Sequence, residues 1–410
     1  MLPSGVLRKR RFRAAGIGLV AALLLGFTDL LPERVAEFSK RVEQVRGRKF
    51  TRAVPASELD KTELRRILRS KVAEQLPVPA DEYFRSLSTL GLIDEAPGLL
   101  DTLVDFYASQ VIAFYDPEPR RFFVIRGSEA LGGDGDGDDA SGMAQGIIFS
   151  HELTHALQDE SLRLDDRLKQ LKDDGDRALA LQCLLEGEAT LVMIRVALMD
   201  IPDAGEQAEE QIGPLLSAGA FERANVPKEV PDYFVDQLFF PYIDGTAYVR
   251  AAVKRGGWAE VDRLWRNPPV SSAEILHGGS LPPPAQGLFP ANLTTIAPDQ
   301  RLLYLDTLGE WTLRFLLKRS IPEAEASAGA AGWRGDRIAF FGSARAMGYV
   351  WRIRFEDSSS AGRFAAALER ARAKRPVKAA ETIRAAGTDV VIWSGIPKPP
   401  KLPDWRLPGD

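Results

Sequence analysis

The chain has 410 residues, 45% of them hydrophobic and 27% charged, a composition that suits a folded globular protein and argues against a disordered one. Fifty-three Lys and Arg against 57 Asp and Glu leave a net charge of -4, so no basic field exists to draw in nucleic acid. The single cysteine, Cys183, excludes an internal disulfide framework and a cysteine-based zinc cluster, and only His151, His155 and His277 are available for imidazole chemistry.

At the N-terminus, Arg8, Lys9, Arg10, Arg11 and Arg13 precede an apolar run from Ala14 to Thr28, broken by Asp29. That is the pattern of an export signal. The run falls short of the ~20 apolar residues of a full span, and no A-x-A site follows it. A cleaved signal and an uncleaved membrane anchor over residues 1–31 are both open. Either places the remainder outside the cytoplasm, in the periplasm, at the cell surface or in the medium.

Residues 32–109 read as a helical region. Ser57 and Asp60 resemble an N-cap arrangement for a helix carrying Leu64, Ile67, Leu68, Val72 and Leu76, which Pro77 and Pro79 stop. A second amphipathic stretch runs from Gly98 to Tyr107. Val111–Tyr115, the turn Asp116-Pro117-Glu118-Pro119 and Phe122–Ile125 predict a β-hairpin. Residues 127–142 are rich in Gly and Asp and read as a loop; their acidic residues do not fit an EF-hand, whose sixth position falls on Asp139. Helices are expected from Met143 to Met199 and over Tyr248–Lys254, with a Pro-Pro break at 268–269. The Pro-rich stretch 281–297 reads as a linker. A module over 298–396 is expected to hold a helix at Leu305–Leu317 and a connector at 323–332. Strands at Arg337–Phe341 and Tyr349–Phe355, a helix at Gly362–Ala373 and a strand at Asp389–Trp393 complete it, before a loose tail at 397–410.

The chemistry concentrates at His151-Glu152-Leu153-Thr154-His155. On a helix, residues i and i+4 share a face, so both imidazoles reach one Zn2+ while Glu152 sits beside its open position. With three histidines in 410 residues, this frame arises by chance on the order of 10⁻³ times. A third ligand is required. The extended metzincin pattern fails, since Gln158 occupies its Gly position and no third His follows, leaving a carboxylate or the distant His277. The segment Ala178–Met199 is apolar nearly all round, with Gln182, Glu186 and Thr190 on one stripe. A carboxylate buried there needs a cation, which makes Glu186 the preferred ligand and Glu188, on another face, the alternative. Asp159 and Thr190 are candidates to orient the ligands.

These motifs resemble the gluzincin metallopeptidases. His151–Ala156 followed by Asp159 is similar to the active-site helix of thermolysin, and Glu186-Gly187-Glu188-Ala189-Thr190 to the E-G-x-A-[ST] motif of aminopeptidase-N-like families, whose Glu binds zinc. Pro241-Tyr242-Ile243-Asp244-Gly245 resembles their Y-x-x-G segment, whose Tyr stabilises the transition state. The 30 residues between His155 and Glu186 exceed the spacing usual there, and no G-x-M-E-N segment supports exopeptidase specificity. The whole pattern is similar to exported bacterial proteins sharing H-E-x-T-H-A-L-Q-D, E-G-E-A-T and G-G-W motifs, closely over about 110–280 and weakly over 300–395.

The resemblance implies an α+β protein with a mainly helical, thermolysin-like core over 110–280, a small β element and a C-terminal α+β module. It implies hydrolysis of a peptide or protein substrate, with Glu152 as general base toward zinc-activated water and Tyr242 or His277 as oxyanion donor. His277 also reads as the C-terminal residue of a short helix capped by Ser271 and ended by Gly278. A catalytically silent zinc-stabilised scaffold, or a hydrolase of a non-peptide amide in the cell envelope, are the alternatives.

Overall fold

A computed structural model describes residues 15–127, 139–201, 205, 207–211, 226–279, 281–293, 296–297, 300–342, 347–374, 381–396 and 400–402, with the backbone alone for 15–30, 139–145 and 165. The protein is mixed α and β. Helix α1 (Ala15–Arg46) runs through Pro32 and carries most of the N-terminal apolar run; the basic cluster at 8–13 lies outside the described residues. Among the described residues, no helix is long and apolar enough to cross a membrane.

From residue 31 onward α1 has a helical stripe, Leu31, Val35, Phe38 and Val42, that is buried with Phe149, Leu153, Leu157, Val192 and Val196. Ser57 belongs to a short strand, β1 (Ala56–Leu59), and not to a cap. Asp60 alone caps α2 (Lys61–Gln75), accepting the N–H groups of Thr62 and Glu63 at 2.9 Å. Pro77 and Pro79 do stop α2, but Pro79 also starts a helix that the sequence reading missed, α3 (Ala80–Leu90), which buries Phe84, Leu87 and Leu90. After α4 (Leu99–Gln110), the expected hairpin forms from β2 (Ala113–Asp116) and β3 (Arg121–Ile125). The sheet order is β1-β3-β2, with β1 parallel to β3 and β2 antiparallel on the edge. Residues 32–109 thus share a sheet and a core with the segment carrying the histidines.

The helical body comprises α5 (Asp139–Leu162), α6 (Leu164–Lys169), α7 (Gly175–Leu198), α8 (Asp232–Phe240), a π-turn at Pro241–Gly245, α9 (Thr246–Arg266) and α10 (Ser272–His277). The acidic loop expected at 127–142 lies mostly outside the described residues, and α5 begins at Asp139. Helix α10 has the ends expected of it: Ser271 accepts the Glu274 N–H, and Gly278 closes it at φ 67°.

In the C-terminal part, the helix expected from Leu305 is a strand followed by a helix, β4 (Leu302–Asp306) and α11 (Gly309–Lys318). The Ala/Gly-rich connector is helical, α12 (Glu323–Ala330), because Ala326, Gly329 and Ala330 let it pack closely on its neighbours. Then come β5 (Trp333–Gly342), β6 (Met347–Phe355), α13 (Ser358–Ala373), an unforeseen edge strand β7 (Glu381–Ala386), and β8 (Asp389–Ser394). These strands form an antiparallel sheet of order β4-β5-β6-β8-β7. Side chains alternate between its faces. Ile338, Phe340, Trp351 and Ile353 join the main core with α13, while Ala339, Phe341, Val350 and Val391 face Ile296, Ala297, Phe289 and Leu293. The Pro-rich stretch expected as a linker therefore covers the second face of the sheet, pinned by Ala285 N–H to Arg334 O at 2.6 Å and by Arg352 to Leu288 O at 3.1 Å. Leu402, from the segment expected as a loose tail, is buried in the same cluster.

Candidate metal centre

Helices α5 and α7 lie side by side, with α1 packed on α5 and the π-turn against α7. Position 187 explains how closely the π-turn approaches. A Cβ on Gly187 would fall under 3 Å from the Gly245 carbonyl, and one on Gly245 would meet the backbone of Cys183 equally closely. Only two glycines allow this contact, and it carries Tyr242 over the histidine pair, its ring stacked on His151 at 5.7 Å between centroids and 18° between planes.

From α5, His151 and His155 turn their Nε2 atoms together, 3.1 Å apart. From α7, Glu186 brings Oε2 to 3.1 Å from His151 Nε2 and 3.3 Å from His155 Nε2. Among the described residues this is the one group of three or more His, Cys, Asp or Glu side chains close enough to hold a metal ion. Ligand atoms about 2.0–2.2 Å from a tetrahedral zinc stand about 3.3–3.6 Å from one another, so the group fits that ion with small adjustments. Two nitrogens and one carboxylate oxygen are also the donor set zinc accepts.

The electrostatics are those of a cluster that wants a positive charge. Burial opposes ionised Glu186, but His155 and His151 outweigh it and hold the carboxyl far below its usual range. Burial likewise opposes the His155 imidazolium, yet Glu186 raises that group to about 10. Glu152 is pushed up by burial, against the pull of both histidines and of the Tyr115 N–H, which donates to its Oε2 at 2.9 Å. The Tyr242 phenol is pushed well up by burial and by Glu186 and Glu152.

Glu188, the alternative ligand, faces away from the histidines. Fully buried, it accepts from Arg46 Nε, from Trp265 Nε1 at 2.7 Å and from Gln158 Nε2 at 3.0 Å. Gln158 in turn contacts His155 Nδ1 through Oε1 at 2.9 Å. Asp159 does not bond to His151, His155 or Glu186; it accepts from Tyr115 Oη at 3.0 Å and from the Leu164 N–H at 3.0 Å. The hydroxyl of Thr190 is buried without a hydrogen-bond partner. The residues that back the site are thus Gln158, Glu188, Trp265 and Arg46. Their one sequence clue is that a Gln and a Glu interrupt otherwise buried helix faces.

His277 is not brought to this group. It sits at the end of α10 with Nε2 at 2.9 and 3.0 Å from the two carboxylate oxygens of Glu310 on α11, tying the helical body to the C-terminal sheet region.

A family model described as a domain of unknown function (DUF8575) matches residues 300–400. That span coincides with the five-stranded sheet and its helices and lies outside the metal centre. No curated protein and no solved structure matches the chain.

Proposed function

We propose that the chain is a zinc-dependent peptide hydrolase of the gluzincin type, exported or anchored through its N-terminal segment. The observation that carries this reading is the convergence of His151, His155 and Glu186 from two packed helices, with Glu152 and Tyr242 at their side. A zinc ion held by those three residues would supply Lewis acidity, activating water and polarising a scissile carbonyl. Glu152 would be the general base toward the attacking water and would return the proton to the leaving nitrogen; burial raises its affinity for that proton. Tyr242, kept protonated, donates its phenolic hydrogen to the oxygen on which charge develops.

A peptide is the substrate class the surroundings favour. Strand β2 is the edge of its sheet, and the Tyr115 N–H, pointing away from β3, lands on Glu152. An extended chain paired along β2 would run past the general base. The basic cluster ahead of the apolar run 14–28 supports export. The test is hydrolysis of a quenched fluorescent peptide library by zinc-loaded protein. Turnover that vanishes in Glu152→Gln while zinc is retained is expected; equal turnover in wild type and Glu152→Gln contradicts the reading.

A further inference from the structure

Gln158, Glu188 and Arg46 form a continuous line from a ligand histidine to the last residue of α1. The orientation of the Gln158 amide is fixed by chemistry. Its Nε2 faces the Leu185 carbonyl oxygen and Glu188 Oε2, both at 3.0 Å, and neither can donate. That end must be the NH2 group, so Oε1 faces His155 Nδ1 at 2.9 Å. Oε1 only accepts, and the hydrogen of this contact belongs to Nδ1. His155 is thereby left to present Nε2 to His151 and Glu186, the side on which a metal would be bound.

Glu188 holds Gln158 in this orientation together with the Leu185 carbonyl; it is a buried carboxylate with donors on both oxygens. Its charge is matched by Arg46, itself 1% exposed and the terminal residue of α1. The guanidinium lies over Trp258 and Trp265 at 4.7 and 4.9 Å and also pairs with Asp262 at 2.6 Å. An arginine so buried has a large desolvation cost, which a surface helix has no need to incur for its own folding. Helix α1 makes a second, independent attachment to the active-site helix. A Cβ on Gly146 of α5 would run into the Phe38 ring, so that glycine leaves room for α1 to lie against the helix that carries both histidines.

We propose that Arg46, Glu188 and Gln158 are positioning residues through which docked α1 fixes His155 as a ligand, so that the centre binds metal tightly only while α1 is in place. This rests on the metal-binding reading above and adds its regulation: an event that draws α1 off the body loosens the ligand set. Removing Arg46 leaves the Glu188 charge unmatched, so that Gln158 keeps only the Leu185 carbonyl as a firm acceptor and its hydrogen bond with His155 Nδ1 loosens.

The test uses the full chain and two readouts: zinc affinity by chelator competition, and solvent exchange of the His155 Nδ1 hydrogen by NMR in the metal-free protein. Three histidines make that assignment tractable. Arg46→Gln and Gln158→Leu are each expected to weaken zinc binding about 10- to 100-fold and to speed that exchange, with no further loss in the double variant, because both cut one line. Arg41→Gln, on the same helix but in the half-exposed pair with Asp200, is the control and leaves both readouts unchanged. Gln158→Leu keeps the Arg46–Glu188–Trp265 contacts and remains informative if Arg46→Gln fails to fold. Unchanged zinc affinity and exchange in Gln158→Leu, or strictly additive losses, would overturn the relay. A wild-type protein that binds no zinc would sink the functional reading instead, and the exchange measurement would still decide whether α1 orders His155.

Discussion

Gly187 of α7 and Gly245 of the π-turn are pressed together so closely that a methyl group on Gly187 would enter the space of the Gly245 carbonyl oxygen. Gly187 follows Glu186, the proposed third ligand, and Gly245 lies three residues after Tyr242. The contact therefore locks the register between the carboxylate and the phenol. Gly187→Ala cannot be relieved by a rotamer change, since the obstacle is backbone. It is expected to cost about 1–3 kcal/mol by overpacking and to displace Tyr242 from His151. Chemical denaturation together with zinc affinity checks this; an unchanged midpoint would mean that the helices separate freely.

Tyr242→Phe keeps the ring that stacks on His151 and removes only the hydroxyl. Zinc binding should be unaffected, whereas kcat should fall about 10²- to 10³-fold, the usual effect of losing one donor to a developing oxyanion. A fall in substrate affinity alone, with kcat intact, would assign Tyr242 to binding.

His277→Ala is expected to leave zinc content and turnover intact, because His277 serves Glu310. The cost falls on stability. Glu310 is 2% exposed and loses a partner that meets both its oxygens, a change on the order of 1–3 kcal/mol. Loss of turnover at undiminished stability would return His277 to the catalytic machinery.

The junction between α7 and the C-terminal sheet makes stability depend on pH. Asp306 accepts the N–H groups of Gly175 and Thr307, yet burial, with help from Asp336 and Asp174, pushes its carboxyl up to about 7. The folded state then holds a proton that the unfolded chain, with a carboxyl pKa near ~3.9, releases. This contribution is fully present below about pH 4 and is lost as pH rises toward 7, at up to ~1.4 kcal/mol per unit. Asp306→Asn preserves an acceptor for both N–H groups and should flatten the dependence between pH 5 and 7. An identical pH profile in the variant would show that Asp306 is ionised throughout.

The sequence was most legible where candidate metal-binding side chains repeat at helical spacing. The i, i+4 histidines and the polar stripe on α7 identify His151, His155 and Glu186 because both follow helix geometry. The supports were hidden, since Arg46 and Glu188 are 142 positions apart and only tertiary packing joins them. Strand β1 escaped notice because Ser57 and Glu58 are polar and its pairing is with β3, more than sixty residues away. Residues 323–332 looked like a connector because Ala and Gly signal flexibility in isolation; between α11 and α13 the same small side chains permit close packing. Proline misled in the same way at 281–297, where residues that lack an N–H suit a segment laid across a sheet face rather than paired into it.

The most direct test of the account is zinc stoichiometry on purified protein at neutral pH, comparing wild type with Glu186→Gln and Glu152→Gln. One zinc per chain in wild type and in Glu152→Gln, with loss in Glu186→Gln, is the predicted result. No zinc in the wild type, or one zinc retained in Glu186→Gln, would contradict the metal centre on which the proposed hydrolysis depends.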